Sequence, residues 1–436
     1  MRKIRLSTLV ISLLLLLSAL APIMLTPSIV KIAKAQGGKS IPITIVERSG
    51  NDLANYTVKV ELTADNFNDW DSILYDDGSD IYFTDSQGTP LYYWIEYFNK
   101  TEKKATIWVK IPTIPANEAV TIHMYYGADN PYSDYRNGTE TFIFFDDFLT
   151  DASLSHYNVY KNPDTGTYTL NIKDGWLEIY KKQTTTSPSW DYGVILYIPT
   201  PVFEDGMILE TRGYVKPVSS GTHKYMLFIA LDNDTQTNAW ASKTAIVGSL
   251  YEIADETDRH VRLRYSDGSA FNTFLDDGSS QANEIITLSV AKIGNLLYAK
   301  VVRGDGTVYE STTTYTSIYA EPPYYVEIIS SGGRTVSSSA LVEGYDYLDW
   351  IRIRKFTYPE PYVAVNWTSG VKGSYYVPIT IQERSGNNLT DYTVKIVLNN
   401  TNFPYWNHIA YWNLSLIHIS EPTRPLYISY AVFCLK

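Results

Sequence analysis

Between Gln36 and Phe356 the chain has almost no helical periodicity; short segments alternate apolar with polar residues instead, as in "KATIWVKI", "VTIHMYY", "HVRLRY", "ITLSVAKI" and "YVEIIS". A period of two buries one face of a strand and cannot supply the 3.6-residue repeat of an amphipathic helix. Six Asp-Gly pairs (Asp77-Gly78, Asp174-Gly175, Asp205-Gly206, Asp267-Gly268, Asp277-Gly278 and Asp305-Gly306) punctuate these segments. The dipeptide tolerates the positive φ of tight hairpin turns. The expected fold class is all-β, built of antiparallel β-sandwiches, and 436 residues exceed one typical core, so at least two units are expected.

An internal repeat sharpens this division. "IPITIVERSGNDLANYTVKVELTADNFNDWDSI" at 41–73 returns without a gap as "VPITIQERSGNNLTDYTVKIVLNNTNFPYWNHI" at 377–409, with 19 of 33 positions identical. Residues 36–143 are expected to form one module, 144–358 a larger second sandwich, 359–372 a linker and 373–413 a truncated second copy of the first module. Pro359 and Pro361 suit the linker because neither can donate to a sheet interior.

At the N-terminus Arg2, Lys3 and Arg5 precede an apolar run and "AKAQ", so residues 1–35 read as a signal peptide cleaved before Gln36. An uncleaved membrane anchor is the rival, since the run approaches the length of a span. Either way the body is expected outside the cell, touching a membrane only through this segment or a C-terminal anchor beyond the sequence. The net charge of −11 makes a phosphate backbone an improbable partner and would attract calcium. Seven N-x-S/T sequons, at Asn55, Asn99, Asn137, Asn233, Asn366, Asn388 and Asn399, are candidate glycosylation positions; an eighth, at Asn413, spans the junction with the C-terminal tail that begins at Leu414 and is set aside.

The single cysteine, Cys434, excludes an internal disulfide. It stands in "LSLIHISEPTRPLYISYAVFCLK", where the repeat breaks off. Reverse translation of "LSLIHISEPTR" and "ISYAVFCL" gives strings that look like a transposase sequencing adapter and its flow-cell tail. Residues 414–436 therefore read as translated adapter, with the natural chain continuing beyond.

"IPITIVERSGNDLANYTVKVEL", "DGSDIYFTDSQGTPLYYWIEYF", "KATIWVKIPTIPA", "TIHMYYG" and "FIFFDDF" together resemble the family called domain of unknown function 2341, over residues 40–145. Membership implies a small β-sandwich on exported, multi-domain surface proteins, with no catalytic residues assigned. The stretch "DGSDIYFTDSQGTPLYYWIEY" suits an exposed hairpin turning at Asp77-Gly78 and Gln87-Gly88, with most of its aromatic residues expected in the core. Residues 144–358, with the opening "DDF", "DGWLEI" and "DWIRIRK", are similar to a concanavalin-like, laminin-G-like jelly roll. That fold hosts lectins, adhesion modules and glycosidases, and does not itself choose among them.

Glycosidases on this fold resemble one another in a Glu-x-Asp-x-x-Glu strand, which is missing here; Glu178, Glu210 and Glu327 read as solvent-facing residues of separate strands. There is no HExxH helix, nucleophile elbow or phosphate loop. No cofactor is expected except calcium, which the likeness would place on Asp146, Asp147 and Asp349; the alternative has Asp349 answering Arg352 or Arg354. Glycan recognition needs ring faces beside amides and carboxylates, and Trp190, Tyr192, Asn238 and Trp240 lie in loop-like settings that could supply them. Trp108, Trp176 and Trp350 are assigned to the interior.

The reading is a non-catalytic binding or adhesion scaffold recognising glycans or envelope proteins. The alternatives are a secreted carbohydrate-active enzyme and a self-associating envelope or filament protein.

Overall fold

The computed structural model describes residues 38–365 apart from 162–165, 184–189, 219–222, 235–243, 254–258, 279 and 335–341. The expected leader, second copy and tail lie outside the described residues, as do Asn238, Trp240, Asn366, Asn388 and Asn399. All named strand pairs are antiparallel, as the alternation and turns predict. All six Asp-Gly glycines have positive φ. At Asp174-Gly175 both residues do, closing a two-residue hairpin in which Lys173 pairs with Trp176.

The first unit contains β1 (Lys39–Val46), β2 (Leu53–Leu62), β3 (Tyr82–Thr84), β4 (Pro90–Leu91), β5 (Tyr93–Asn99), β6 (Lys104–Ile114) and β7 (Ala119–Tyr126). One sheet runs β1-β7-β3-β4 and the other β2-β6-β5. Ile43, Ile45, Val60, Phe67, Trp70, Phe83 and Ile107 fill the space between them. The hairpin's apolar residues are largely core, as expected of its aromatics: Ile81, Tyr82, Phe83 and Leu91 are buried. The carboxylate of Asp80 ties its base down, accepting from the backbone N–H of Leu74 at 2.9 Å and of Gly127 at 2.8 Å.

The second unit begins with β8 (Phe144–Asp146), β9 (Asn158–Lys161), β10 (Gly166–Lys173), β11 (Trp176–Gln183), β12 (Trp190–Tyr197), β13 (Met207–Pro217), β14 (His223–Asp232) and β15 (Ile246–Ile253). It continues with β16 (Arg259–Ser266), β17 (Phe271–Asp276), β18 (Ile286–Ile293), β19 (Leu296–Val302), β20 (Val308–Thr314), β21 (Tyr325–Arg334) and β22 (Glu343–Lys355). An eight-stranded sheet runs β10-β11-β22-β13-β18-β19-β20, with β8 also on β22; a seven-stranded sheet runs β17-β16-β15-β14-β21-β12-β9. Leu177, Ile179, Leu209, Leu227, Ile229, Leu288, Ile328, Leu348 and Ile351 pack between them.

The expected linker needs correction. Its early part forms β23 (Tyr362–Val365), which pairs with β1 in the first unit, Ile43 opposite Val365 and Val46 opposite Tyr362. Pro359 and Pro361 precede this strand, and it sits at the sheet edge, where the proline restriction has no force. The chain thus leaves the second unit and returns to the first.

A single irregularity in the larger sheet decides which side chains reach its outer face. Between β13 and β22 the register jumps, Gly213 opposing Leu348 and Arg212 opposing Trp350, so Asp349 is an extra residue on β22. A one-residue bulge inverts side-chain parity along a strand. Tyr345 and Tyr347 before it therefore share the outer face of the eight-stranded sheet with Trp350, Arg352 and Arg354 after it, while Leu348, Ile351 and Ile353 point into the core. The bulge requires a glycine opposite: a Cβ on Gly213 would stand 2.4 Å from the Tyr347 carbonyl oxygen. Gly213→Ala is expected to lower stability by about 1–3 kcal/mol or more in urea unfolding, as overpacking does. A midpoint unchanged from that of the parent protein would contradict this role.

Candidate functional site

The outer face of the eight-stranded sheet divides into a covered half and an open half. Covering comes from the first unit, through an arginine node. Arg352 donates from Nε to Glu210 at 2.8 Å and from Nη1 to Glu96 at 2.7 Å, and its guanidinium lies 4.1 Å from the ring centroids of both Trp108 and Trp350. Glu96 also accepts from Trp108 Nε1 at 2.6 Å. Arg354 donates to Glu210 at 3.0 Å and to Glu360 at 2.5 Å, and the hydroxyl of Tyr56 reaches the same Glu360 carboxylate at 3.0 Å. Trp94, Phe142 and Phe145 close the apolar side. Each buried charge here has charged and hydrogen-bonded partners, the condition under which ions survive burial.

Beside the node the two units leave a cleft of about 920 Å³. Thr106, Lys104 and Lys59 face it from the first unit, and Thr287, Ser289 and Lys300 from the second.

The open half is an aromatic platform. Trp176 and Tyr180 on β11, Tyr214 on β13, and Tyr345 and Tyr347 on β22 are all half-buried. Tyr214 and Tyr347 stack with centroids 4.6 Å apart, Tyr345 follows 6.1 Å from Tyr347, and Trp176 meets Tyr214 edge-on at 5.2 Å. The hydroxyl of Tyr347 donates to Glu178 at 2.9 Å and that of Tyr180 to Glu343 at 2.8 Å. Burial and the Glu343 hydrogen bond push the Tyr180 phenol up to about 12, so it stays a neutral donor. Fixed hydroxyls hold the rings in place, and each carboxylate keeps acceptor capacity for a further donor.

The single-strand glutamates are not solvent-facing as expected. Glu178 and Glu210 are buried under the tyrosines and the arginines, and Glu327 is buried on the outer face of the seven-stranded sheet. Glu252 is buried too, bonded to Ser249 at 2.8 Å, to Arg264 at 3.1 Å and to Arg262. Asp232 shares that outer face with Met226, Phe228 and Ala230. Its Oδ1 accepts from the Asn233 N–H at 2.8 Å and its buried Oδ2 has no hydrogen-bond partner among the described residues. Burial, with Asp234 nearby, pushes Asp232 up to about 7.

The anticipated glycan residues do not form a described site. Trp190 and Tyr192 belong to β12 and not to a loop, in register with Gly333 and Ser331; Asn238 and Trp240 lie outside the described residues. The anticipated calcium ligands form no three-acid group arranged to hold a metal ion among the described residues, although burial and the nearby charges of Asp146 and Asp349 raise the Asp147 carboxyl. Asp146 receives the Phe148 N–H at 3.0 Å and His156 Nδ1 at 2.9 Å, and Asp349 pairs with Arg212 at 2.5 Å, not with Arg352 or Arg354. Those two arginines answer Glu210 instead. Among the sequons, Asn55 is exposed at a positive φ, Asn233 is exposed, Asn99 accepts from the Glu102 N–H, and the Asn137 side chain caps the short helix Gly138–Thr141. Trp108 and Trp350 are interior as expected, but in the seam between units; Trp176 is on the platform.

Residues 77–158 match the family model described as a domain of unknown function, DUF2341. A segment of 88 residues is 36% identical to uncharacterized protein 562 of Sulfolobus islandicus rod-shaped virus 1, covering 17% of this chain and 15% of that protein. The chain thus spans a small part of the length of that relative. Among solved structures, a laminarinase of Flavobacterium sp. UMI-01 aligns over 49% of this chain and 100% of its own, at 14% identity and a TM-score of 0.35. The CBM2 module of an evolved Dit from Lactobacillus casei BL23 phage J-1 aligns over 50% and 97%, at 13% identity and a TM-score of 0.34.

The geometry sets two titrations of opposite sign. Burial opposes the charge of Glu210, but Arg352 and Arg354 outweigh it and hold the carboxyl down to about 2. Its folded value is depressed below the ordinary 4.5, so its contribution to stability is full above 4.5 and is lost as pH falls toward 2. Glu210→Gln should cost about 3–5 kcal/mol at pH 7, as for one half of a broken buried pair, and the deficit should shrink in acid. Asp232 has the opposite sign: raised when folded, it contributes below its ordinary value of 3.8 and loses that contribution as pH rises through 7. Asp232→Asn should stabilise the protein at pH 8 and change little at pH 4, in paired denaturant melts; equal effects at both would contradict the assignment.

Proposed function

We propose that this chain is an exported, non-catalytic surface protein that binds glycans on the outer face of its larger β-sandwich. The observation carrying this reading is the platform of Trp176, Tyr180, Tyr214, Tyr345 and Tyr347, with Glu178 and Glu343 bonded to its hydroxyls. Aromatic rings offer apolar surface to the C–H faces of sugars, and carboxylates and phenols take their hydroxyls. Glu210, Glu252 and Asp349, which could otherwise serve as acids or nucleophiles, are each bonded to arginine. The laminarinase and the CBM2 module are consistent with this reading and carry none of it.

A second reading has one observation in its favour. Asp232 and Glu327 are both buried on the outer face of the seven-stranded sheet, and an acid raised to about 7 suits proton donation at neutral pH. On that reading the protein is a secreted glycoside hydrolase, and Asp232→Asn abolishes release of reducing ends.

A polysaccharide panel on the intact protein tests both. Binding is expected to weaken about tenfold or more in Tyr347→Ala or Trp176→Ala, roughly 1.4 kcal/mol each, with no reducing ends released by the parent protein. Binding unaltered in both variants would remove the platform, and hydrolysis lost in Asp232→Asn would replace the binder with the enzyme. Absence of any glycan ligand, with concentration-dependent assembly of the chain, would favour a self-associating scaffold.

A further inference from the structure

Inside the second unit, far from any solvent, lies an ion pair that the platform and the node do not use. Lys181 on β11 and Asp346 on β22 belong to neighbouring strands and point into the space between the sheets, with side chains 1% and 0% exposed. Lys181 Nζ is 3.0 Å from Asp346 Oδ2, and the carbonyls of Ser331 at 2.8 Å and Met226 at 3.2 Å, both on the opposite sheet, fix the nitrogen. Asp346 Oδ1 is buried with no hydrogen-bond partner among the described residues. An unpartnered carboxylate oxygen in an apolar core is costly, and two full charges there are costlier.

We infer that Lys181 and Asp346 are joined by an intramolecular isopeptide bond, formed by condensation of the amine with the carboxyl. The balance is simple. The hydrogen bond carries a proton from the ammonium to the carboxylate, leaving a neutral amine and a neutral acid. The nitrogen lone pair then attacks Cγ, and the tetrahedral adduct passes its second amine proton to a hydroxyl oxygen. One water leaves, a C–N bond replaces a C–O bond, and no oxidant, reductant or cofactor takes part. Burial, opposed by the Asp346 carboxylate, brings the Lys181 amine down to about 8, which makes the neutral amine accessible. The product carries no charge, its oxygen is an ordinary amide carbonyl, and exclusion of water protects it from hydrolysis.

The bond would clamp the early strand β11 to the last strand of the same sheet. The sole cysteine is Cys434, so no internal disulfide can do this work. Such a staple suits a protein kept outside the cell, although the chemistry does not depend on the glycan reading.

Mass spectrometry of the intact folded protein, followed by peptide mapping, decides the matter. The expected mass is one water below that of the linear chain, with a branched peptide containing both Lys181 and Asp346, and both signatures vanish in Lys181→Arg and Asp346→Ala. Full mass in the folded parent protein, with the two residues recovered in separate unmodified peptides, would overturn the inference even if neither variant folds. Glycan binding is measured separately and can fail or succeed without affecting this result.

Discussion

The Arg352 guanidinium, held between the rings of Trp108 and Trp350 and bonded to Glu96 and Glu210, is the contact on which the arrangement of the two units rests. Glu96 and Trp108 come from the first unit, the other three residues from the second. A planar cation between two indoles combines cation–π attraction with directional hydrogen bonds, and lysine could not reproduce it. Arg354, Glu360 and Tyr56 extend the network, and β23 adds backbone pairing along β1. Side-chain charge and main-chain hydrogen bonding therefore fasten the same two bodies at adjoining places, which fixes the walls of the cleft between them.

The bulge at Asp349 gives that contact its functional meaning. Because parity inverts there, a single strand presents Trp350, Arg352 and Arg354 to the first unit and Tyr345 and Tyr347 to the open half of the same face. Without the extra residue, Asp346 and Leu348 would turn outward and the core would receive tyrosines. The Lys181–Asp346 pair depends on the same inversion, since it places Asp346 between the sheets.

Strands and turns are legible in the residues, because alternation and the Asp-Gly pairs are local properties of the backbone. Burial of the polar residues is not. Glu178 and Glu210 stand in ordinary alternating strands, and what buries them comes from Tyr347 and Arg352, more than a hundred residues away. The platform has a visible signal in "EGYDYLDW", where tyrosines recur at every second position, but its face can be assigned only once the bulge is known. β23 escapes a sequence reading because the prolines just before it suggest an open linker, whereas its partner β1 lies at the other end of the chain. Polar neighbours give Trp190 and Tyr192 the look of loop residues; pairing with β21 makes them strand.

One sheet face is thus half sealed by the neighbouring unit and half open as an aromatic platform, the surface on which the proposed glycan binding rests. Hydroxyl-radical footprinting of the intact protein, with and without a polysaccharide that binds it, tests this most directly. Tyr180, Tyr345 and Tyr347 should be oxidised in the free protein and protected when the polysaccharide is present, while Trp108 and Trp350 remain unmodified in both. Ready oxidation of Trp108 and Trp350, or protection that spares the three tyrosines, would contradict it.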